Sequence, residues 1–314
     1  MYNYENYTSV RQQIEKRRVE ARAEADFRSA RLRALSPEIA KIDEELSGTG
    51  LLLFRTACSG GDILAIKKRN QELCNKRRQI IKSLGYPEDY TDVHYTCPDC
   101  SDTGFIEGAK MCKCFREELI KATVASSGIG NLIHKQSFDN FDLDFYGKGT
   151  PVYTRMSSNL TAAREYARSF GKNRGNLLLI GKTGTGKTHI STAIAKEVIS
   201  AGYDVIYDTV QNIINDFEND QFRSGHGQPQ RSTRFLECDL LIIDDLGTEF
   251  STQFTVSCIY NLLNTRQNRG LSTIISTNLS PRELSENYTD RIYSRLVGSY
   301  QILSFEGEDR RLNR

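Results

Sequence analysis

The sequence predicts an α/β fold with a parallel sheet, preceded by a helical hairpin and a small zinc module. Three observations carry that expectation. First, Leu177 to Ile180 is a short apolar run, followed by a G-x-x-x-x-G-K-[ST] pattern completed by Gly181, Gly186, Lys187 and Thr188. Ile190, Ala193, Ile194, Ala195 and Val198 then recur at helical spacing, so the pattern has a strand before it and a helix after it. Second, Asp239 to Gly247 reads as a continuous apolar strand ending in the carboxylate pair Asp244 and Asp245. Third, Cys97, Cys100, Cys112 and Cys114 form two close pairs ahead of the α/β half.

The glycine-rich stretch is a candidate phosphate-binding loop. Its glycines let the backbone curl until its N–H groups face a phosphate, and the following helix N-terminus adds partial positive charge. The candidate nucleotide-binding set is Gly181, Lys182, Thr183, Gly184, Thr185, Gly186, Lys187, Thr188 and His189. Lys187 is expected to reach the β- and γ-phosphates, and Thr188 to ligate Mg²⁺.

Size and composition bound the rest. A chain of 314 residues suggests two domains with a small module between them. A hydrophobic content of 38% with 26% charged residues fits a soluble protein, and a net charge of +2 gives no bulk signal for nucleic acid. No apolar run approaches the roughly 18 residues of a membrane span. Met1-Tyr2-Asn3-Tyr4-Glu5-Asn6 lacks a signal-peptide core, so the expected compartment is the cytoplasm, where thiols stay reduced. The eight cysteines therefore read as metal ligands or buried thiols.

Residues 1–90 are expected to form a helical, coiled-coil-like partner-binding region. Val10, Ile14, Ala21, Ala25, Leu32 and Leu35 give a first helix with a thin apolar stripe. Ser36-Pro37-Glu38 restarts the helix with a cap residue and a proline at the first helical position. Ile39, Ile42 and Leu46 follow, with Gly48 and Gly50 weakening the segment before Leu51 to Phe54 resume it. Ser59-Gly60-Gly61 is a turn, and Ile63, Ile66, Leu73, Ile80 and Leu84 continue at heptad spacing with Asn70 and Arg77 as polar interruptions. Gly85-Tyr86-Pro87 ends it. Two antiparallel helices in a hairpin result, serving as a docking arm, as a plain helical domain or as a self-associating coiled coil.

Residues 91–117 are the expected zinc module. Cys-x-x-Cys makes a tight knuckle, and a short hairpin through Glu107-Gly108 brings Cys112 and Cys114 opposite it. Four thiolates give a closed tetrahedral site, structural rather than catalytic, with His94 as a possible replacement ligand. A redox pair or unliganded thiols are the other readings of the same cysteines. Residues 118–150 are expected to be a linker. Its Phe138, Phe141, Leu143, Phe145 and Tyr146 would lie over a nucleotide base or pack between domains.

Residues 151–314 are the expected ATPase domain. Val205-Ile206-Tyr207 is a second strand, residues 211–224 a helix, and Gly225 to Pro229 a loop. Asp244 and Asp245 sit at the C-terminal edge of a strand, where α/β sheets bind ligands. Asp244 can hold Mg²⁺ through water, and Asp245 can orient or deprotonate an attacking water. Ser272 to Thr277 is another buried strand, ending at Asn278. Asn278 would stand between the acidic pair and the γ-phosphate, or cap the helix opened by Ser280-Pro281-Arg282-Glu283.

On these motifs the C-terminal half resembles AAA+ ATPases, and within them the bacterial DnaC/DnaI-type helicase loaders. Gly181–Thr188 matches Walker A, Leu240–Asp245 Walker B, and Ser276-Thr277-Asn278 sensor 1. The resemblance implies a three-layer αβα sandwich with strand order 5-1-4-3-2. Asp290-Arg291-Ile292-Tyr293-Ser294-Arg295-Leu296 looks like the family's box VII, which implies that Arg295, or else Arg291, is a finger into a neighbouring subunit's nucleotide. Gly307-Glu308-Asp309-Arg310-Arg311 looks like the sensor 2 region, which implies Arg311, with Arg310 as the alternative. The helical start and the Cys-Pro-x-Cys-x-Asp-Thr-Gly stretch are similar to loaders in which a zinc-bearing N-terminal part binds the replicative helicase.

The implied activity is slow, Mg²⁺-dependent ATP hydrolysis, with ATP/ADP, Mg²⁺ and Zn²⁺ bound. The implied partners are a hexameric replicative helicase, single-stranded DNA and further copies of the chain; no membrane is involved. Asp245 departs from the Glu of many AAA+ enzymes and bears on hydrolysis rate rather than binding. The chain stops soon after sensor 2, so no helical lid is expected. An IstB-type ATPase assisting a transposase shares the motifs from Gly181 onward, and a nucleotide-switched adaptor with negligible turnover is the third expectation.

Overall fold

The structure, a computed structural model, describes residues 3–58, 63–172, 175–222 and 231–310. They form two compact units, one of Ser9–Arg116 and one of Met1–Thr8 with Glu117–Arg314.

The first unit holds most of α1 (Tyr4–Leu35), then α2 (Pro37–Cys58) and α3 (Leu64–Ser83). The thin stripe of α1 is buried at Val10, Ile14, Ala25 and Leu32. Leu32 packs with Ile39 and Ile81, so the three helices share one small cluster. α2 and α3 run antiparallel, as expected. The polar interruption at Arg77 is an ion pair, its Nε 2.7 Å from Asp43, and Thr49 donates to Asn70 Oδ1 at 3.3 Å. Lys76–Glu38 and Arg69–Glu45 add pairs at 2.7 Å. The expected turn Ser59-Gly60-Gly61 lies outside the described residues. α2 runs unbroken past Gly48. A short antiparallel ribbon follows, β1 (Phe105–Ile106) and β2 (Lys110–Met111), joined by a single 3₁₀ turn, Glu107–Ala109.

α4 (Lys113–Ser126) leads into the second unit, followed by α5 (Leu132–Lys135), α6 (Pro151–Ser169), β3 (Leu177–Gly181), α7 (Lys187–Ser200), β4 (Val205–Thr209) and α8 (Val210–Phe222). Then come α9 (Thr233–Glu237), β5 (Leu240–Leu246), α10 (Gln253–Asn268), β6 (Ser272–Thr277), α11 (Pro281–Asn287), α12 (Asp290–Ser299) and β7 (Gln301–Phe305). The loop expected at Gly225 to Pro229 lies outside the described residues.

Strands β3 to β7 form one parallel sheet in the order β4-β5-β6-β3-β7. Counted within this unit the order is 2-3-4-1-5, the expected 5-1-4-3-2 read from the other edge. Alternation along each strand explains the continuous apolar runs. Leu177, Leu179, Leu240, Ile242 and Ile274 face one cluster with α6 and α7. Leu178, Leu241, Ile243 and Ile275 face the other, with α8, α10 and α12. A sheet covered on both faces needs apolar residues at consecutive positions, and three layers result.

Residues 118–150, expected as a linker, are part of this second unit. Ile129, Ile133, Phe138, Phe141 and Tyr146 are buried in the same cluster as α6 and α7. Their spacing follows neither 2 nor 3.6, because after α4 ends at Ser126 the segment drapes over the core with only α5 and a single 3₁₀ turn, Asp144–Tyr146, as regular structure. α6 and α11 open on sequence-encoded caps: Thr150 accepts from the Tyr153 N–H with Pro151 following, and Ser280 forms a capping box with Glu283. Arg266 on α10 is fully buried and donates to the carbonyls of Phe235 at 2.7 Å, Cys238 at 3.0 Å and Ser272 at 2.5 Å. It thereby ties the end of α9 to the start of β6.

Candidate functional site

The phosphate loop spans the gap between β3 and α7, at the C-terminal end of β3. Gly184 and Gly186 adopt φ of +77° and +96°, in the left-handed region open to glycine. Gly181 is not in that region and is required for another reason: a methyl there would lie 2.8 Å from Phe305 Cβ on the adjacent β7. Lys182 and Thr183 are exposed at the loop tip, and Thr185 Oγ1 closes the loop by donating to the Lys182 carbonyl at 2.7 Å.

Four of the residues singled out in the sequence meet here. Lys187 is buried, and its ammonium donates to the carbonyls of Gly181 and Lys182 at 2.5 and 2.8 Å and to Asn278 Oδ1 at 2.7 Å. Thr188 Oγ1 lies 3.5 Å from Asp244 Oδ2. Asn278 faces the loop rather than capping α11, a task that belongs to Ser280. This brings an ammonium, a hydroxyl, a carboxylate and an amide to one sheet edge, an arrangement able to hold a nucleoside triphosphate and its cation.

Asp244 is buried with both oxygens occupied. Ser276 donates to Oδ1 and Tyr207 donates to Oδ2. Burial first, and then the neighbouring Asp244 carboxylate, push the Tyr207 phenol far up, so it remains a donor. Asp245 adopts φ +55°, where the β5–β6 register shifts between Ile243 and Leu246. Its N–H donates to Ser276 Oγ at 3.1 Å, so one serine holds both halves of the acidic pair.

Tyr207 is not singled out in the sequence as a member of the site, and Ser276 is named there only within the stretch resembling sensor 1. Each sits within an apolar strand and reads as core there. The signal that could have found them is a lone polar atom on a strand flanking the acidic one.

His189 points away from the loop. Its Nε2 lies 2.9 Å from the Ser137 carbonyl and 3.0 Å from Asn140 Oδ1, and its ring meets Phe141 edge-on. Burial pulls its pKa down. The aromatic stretch packs on the loop itself: Tyr146 OH donates to the Thr185 carbonyl at 2.9 Å, and a methyl on Gly186 would lie 3.1 Å from Phe141. Of its two expected readings, packing describes Phe141 and Tyr146, both buried. The packing is against the phosphate loop within one unit rather than between domains.

The arginines divide. Arg310 donates its backbone N–H to the Gly184 carbonyl at 3.2 Å, and its guanidinium sits 4.7 Å from the Phe145 ring centre and 3.4 Å from Asp142 Oδ2. Arg311, the preferred sensor residue, lies outside the described residues. Arg295 donates to Asn264 Oδ1 at 2.6 Å and to the Tyr260 hydroxyl at 3.2 Å, both on α10, and so is not brought to the phosphate loop of its own chain. Arg291 lines a shallow recess with Thr252, Val256, Tyr260 and Thr289.

The other unit carries the cysteine cluster. The Sγ atoms of Cys97, Cys100, Cys112 and Cys114 all lie within 4.8 Å of one another, with Cys97–Cys112 at 3.8 Å and Cys100–Cys114 at 3.5 Å. A tetrahedral site with zinc–sulfur bonds of about 2.3 Å has sulfurs about 3.8 Å apart, so the donor set could hold zinc. His94 lies 3.9 Å from Asp89 and is outside the cluster, so the four-cysteine option is the one formed.

Burial pushes the thiols of Cys112 and Cys114 up. At Cys100 the Gly104 N–H and the neighbouring thiols outweigh burial and bring the group to about 7. Four thiolates this close need a cation among them. Asp102, fully buried at φ +50°, accepts from the N–H groups of Thr96 and Cys97 and from Arg17 at 3.1 Å, and so shapes the knuckle. The Arg17 partner, from α1, was not visible in the sequence.

The replicative helicase loader DnaC of Escherichia coli strain K12 is 26% identical over 195 residues, covering 62% of this chain and 76% of that protein. DnaC of Buchnera aphidicola subsp. Baizongia pistaciae is 28% identical over 187 residues, 59% and 73% of the two chains. The phage-like element PBSX protein XkdC of Bacillus subtilis is 25% identical over 248 residues, covering 74% of this chain and 90% of its own. Among solved structures, the DnaC helicase loader crystal structure superposes with a TM-score of 0.46 at 22% identity, covering 54% of this chain and 98% of that one. No helix among the described residues is long and apolar enough to cross a membrane. The model of the IstB-like ATP binding protein family matches residues 128–314, more than half the sequence and all of the sheet described above, and the chain belongs to that family.

Proposed function

We propose that the protein is an ATP-dependent loader of a replicative DNA helicase. The observation that carries the nucleotide half of this reading is the convergence of Lys187, Thr188, Asp244 and Asn278 at one sheet edge. Lys187, already desolvated and turned by three acceptors, exchanges carbonyl partners for phosphate oxygens when nucleotide enters. Thr188 and, through water, Asp244 would hold Mg²⁺, which supplies neutralising charge on the phosphates. Asp245 orients the attacking water, and Asn278, hydrogen-bonded to Lys187, contacts the γ-phosphate from between it and the acidic pair. Arg310, packed beside Gly184, serves as the sensor 2 arginine among the described residues.

Arg295, paired only with neutral α10 side chains in the contacts above, is free of any acidic partner there and suits a finger into the next subunit's site. Self-association through ATP sites follows. The helical and four-cysteine unit would grip the hexameric helicase, with Cys97, Cys100, Cys112 and Cys114 holding zinc as a structural cross-link. Contact with single-stranded DNA and action in the cytoplasm complete the proposal, supported by the similarity to proteins named replicative helicase loaders.

The test uses the full chain. It should co-purify with its host's replicative helicase, and ATP should change the amount bound. Lys187→Ala should abolish nucleotide binding or turnover. Helicase that never co-purifies, with nucleotide binding intact, would turn attention to the second reading, an IstB-type ATPase assisting a transposase, which the family match favours. A nucleotide-switched adaptor with negligible turnover is distinguished by its hydrolysis rate.

A further inference from the structure

Tyr207 is a buried phenol on β4 whose hydroxyl meets the carboxylate at the centre of the nucleotide site. We propose that Tyr207 is a positioning residue of that site: with Ser276 it fixes the orientation of Asp244 and sets how tightly the bound nucleotide takes Mg²⁺. This rests on the reading of the site as an Mg²⁺–nucleotide site.

Three contacts hold the tyrosine in place. Its backbone N–H donates to the Ser127 carbonyl at 2.7 Å. Its own carbonyl abuts Gly128, which at φ +80° leaves no room for a side chain. Its ring is packed in the cluster that includes Ile190 and Ile242. Backbone, ring and hydroxyl are therefore set by different neighbours, and the hydroxyl has one direction to point. A phenylalanine would fill the same space. A hydroxyl placed there costs free energy unless it is bonded, and its partner is Asp244.

The two oxygens of Asp244 are used differently. Oδ1 accepts from Ser276, which also accepts the Asp245 N–H at 3.1 Å. Oδ2 accepts from Tyr207 and is the oxygen 3.5 Å from Thr188 Oγ1. The donors of Ser276 and Tyr207 come from the strands on either side of β5, since β4 and β6 are its two neighbours in the sheet. The carboxylate is clamped from both sides and cannot turn about its χ2. The oxygen nearest Thr188 is thereby held towards the cation that Thr188 would ligate. Groups that orient a metal ligand in this way change metal affinity by about 10–100-fold when removed.

The experiment compares the full-length wild type with Tyr207→Phe and Ser276→Ala. A fluorescent ATP analogue is titrated first in EDTA and then across Mg²⁺ concentrations, with a thermal melt in EDTA alongside. Tyr207→Phe should bind the analogue in EDTA as the wild type does and stay folded well above the assay temperature. Its half-saturating Mg²⁺ should rise about tenfold or more. In an Asp244→Asn background the same change should add nothing to the Mg²⁺ dependence. An unshifted Mg²⁺ midpoint in Tyr207→Phe, or a shift that persists undiminished in the Asp244→Asn background, overturns the proposal. A wild-type chain that binds nucleotide no better with Mg²⁺ than in EDTA refutes the underlying site reading and this proposal with it.

Discussion

Gly181→Ala tests why the first glycine of the phosphate loop is there. The sequence pattern alone attributes it to loop curvature, yet its backbone is not in the left-handed region. The constraint comes from β7. Gly181 pairs with Phe305 in the parallel ladder, and an added methyl would lie 2.8 Å from Phe305 Cβ and 3.0 Å from its carbonyl carbon. The Phe305 carbonyl oxygen is closer still and sets the demand, so the last rung must open by about 1 Å to restore van der Waals contact. No rotamer change relieves this, because the carbonyl belongs to the backbone.

Overpacking of that kind costs about 1–3 kcal/mol. In a domain of this size each kcal/mol moves the melting temperature by about 2–4 °C. The expected outcome is therefore a fall of several degrees in the nucleotide-free protein, measured by calorimetry. Weaker nucleotide binding should accompany it, because the Gly181 carbonyl also holds Lys187. Gly175→Ala, where a methyl meets nothing within 4 Å, is the control and should leave both unchanged. A Gly181→Ala protein that melts with the wild type while losing nucleotide affinity would refute the strand-clash argument.

Four other outcomes are expected. Asn278→Ala removes a hydrogen bond from the Lys187 ammonium; bonds to charged groups are worth about 1.5–3 kcal/mol, so hydrolysis should fall about 10-fold or more with little change in ATP affinity, read by steady-state kinetics. Elemental analysis should find about one zinc per chain, and chelation should expose four thiols to alkylation; the buried Cys238 and Cys258, pushed up to about 11, should stay unreactive throughout. Asp204→Asn should raise the melting temperature at pH 7. Burial first, and then Asp239, raise the carboxyl above its usual 3.8, so its destabilising charge is present at neutral pH and disappears as pH falls through the folded value, and the gain should vanish towards pH 4. Arg266→Leu should cost about 3 kcal/mol or more in urea unfolding, because it strands the carbonyls of Phe235, Cys238 and Ser272 in the core.

Much of this molecule was legible in advance because its signals are local. Leu177 to Thr188 encodes strand, loop and helix within a dozen or so positions, and Cys97 to Cys114 encodes a knuckle and a ribbon. Asn278 was legible because it ends a strand facing the acidic pair. What stayed hidden depends on neighbours far along the chain. Tyr207 reaches Asp244 across the sheet, Arg17 reaches Asp102 from α1, and Tyr146 reaches the Thr185 carbonyl from a segment without periodicity. In each case the residue type is ordinary for its surroundings, and only the sheet order or the draped path supplies a partner. The linker expected at 118–150 failed as a linker for the same reason: aromatic residues at irregular spacing reveal burial but not what they are buried against.

The left-handed backbone at residue 245 bears on how this chain could change over evolutionary time. Asp and Asn enter that conformation several-fold more readily than other non-glycine residues, for which it costs about 1–2 kcal/mol. The choice of Asp over Glu at position 245 therefore answers to the turn at the end of β5 as well as to chemistry. A lineage with a longer carboxylate there would either bear that strain or relax the bulge, and relaxing it would move the Ser276 contact that steadies both acids. The residue and its backbone are therefore coupled: Asn or Gly fits the conformation at little cost, whereas Glu would carry about 1–2 kcal/mol of backbone strain.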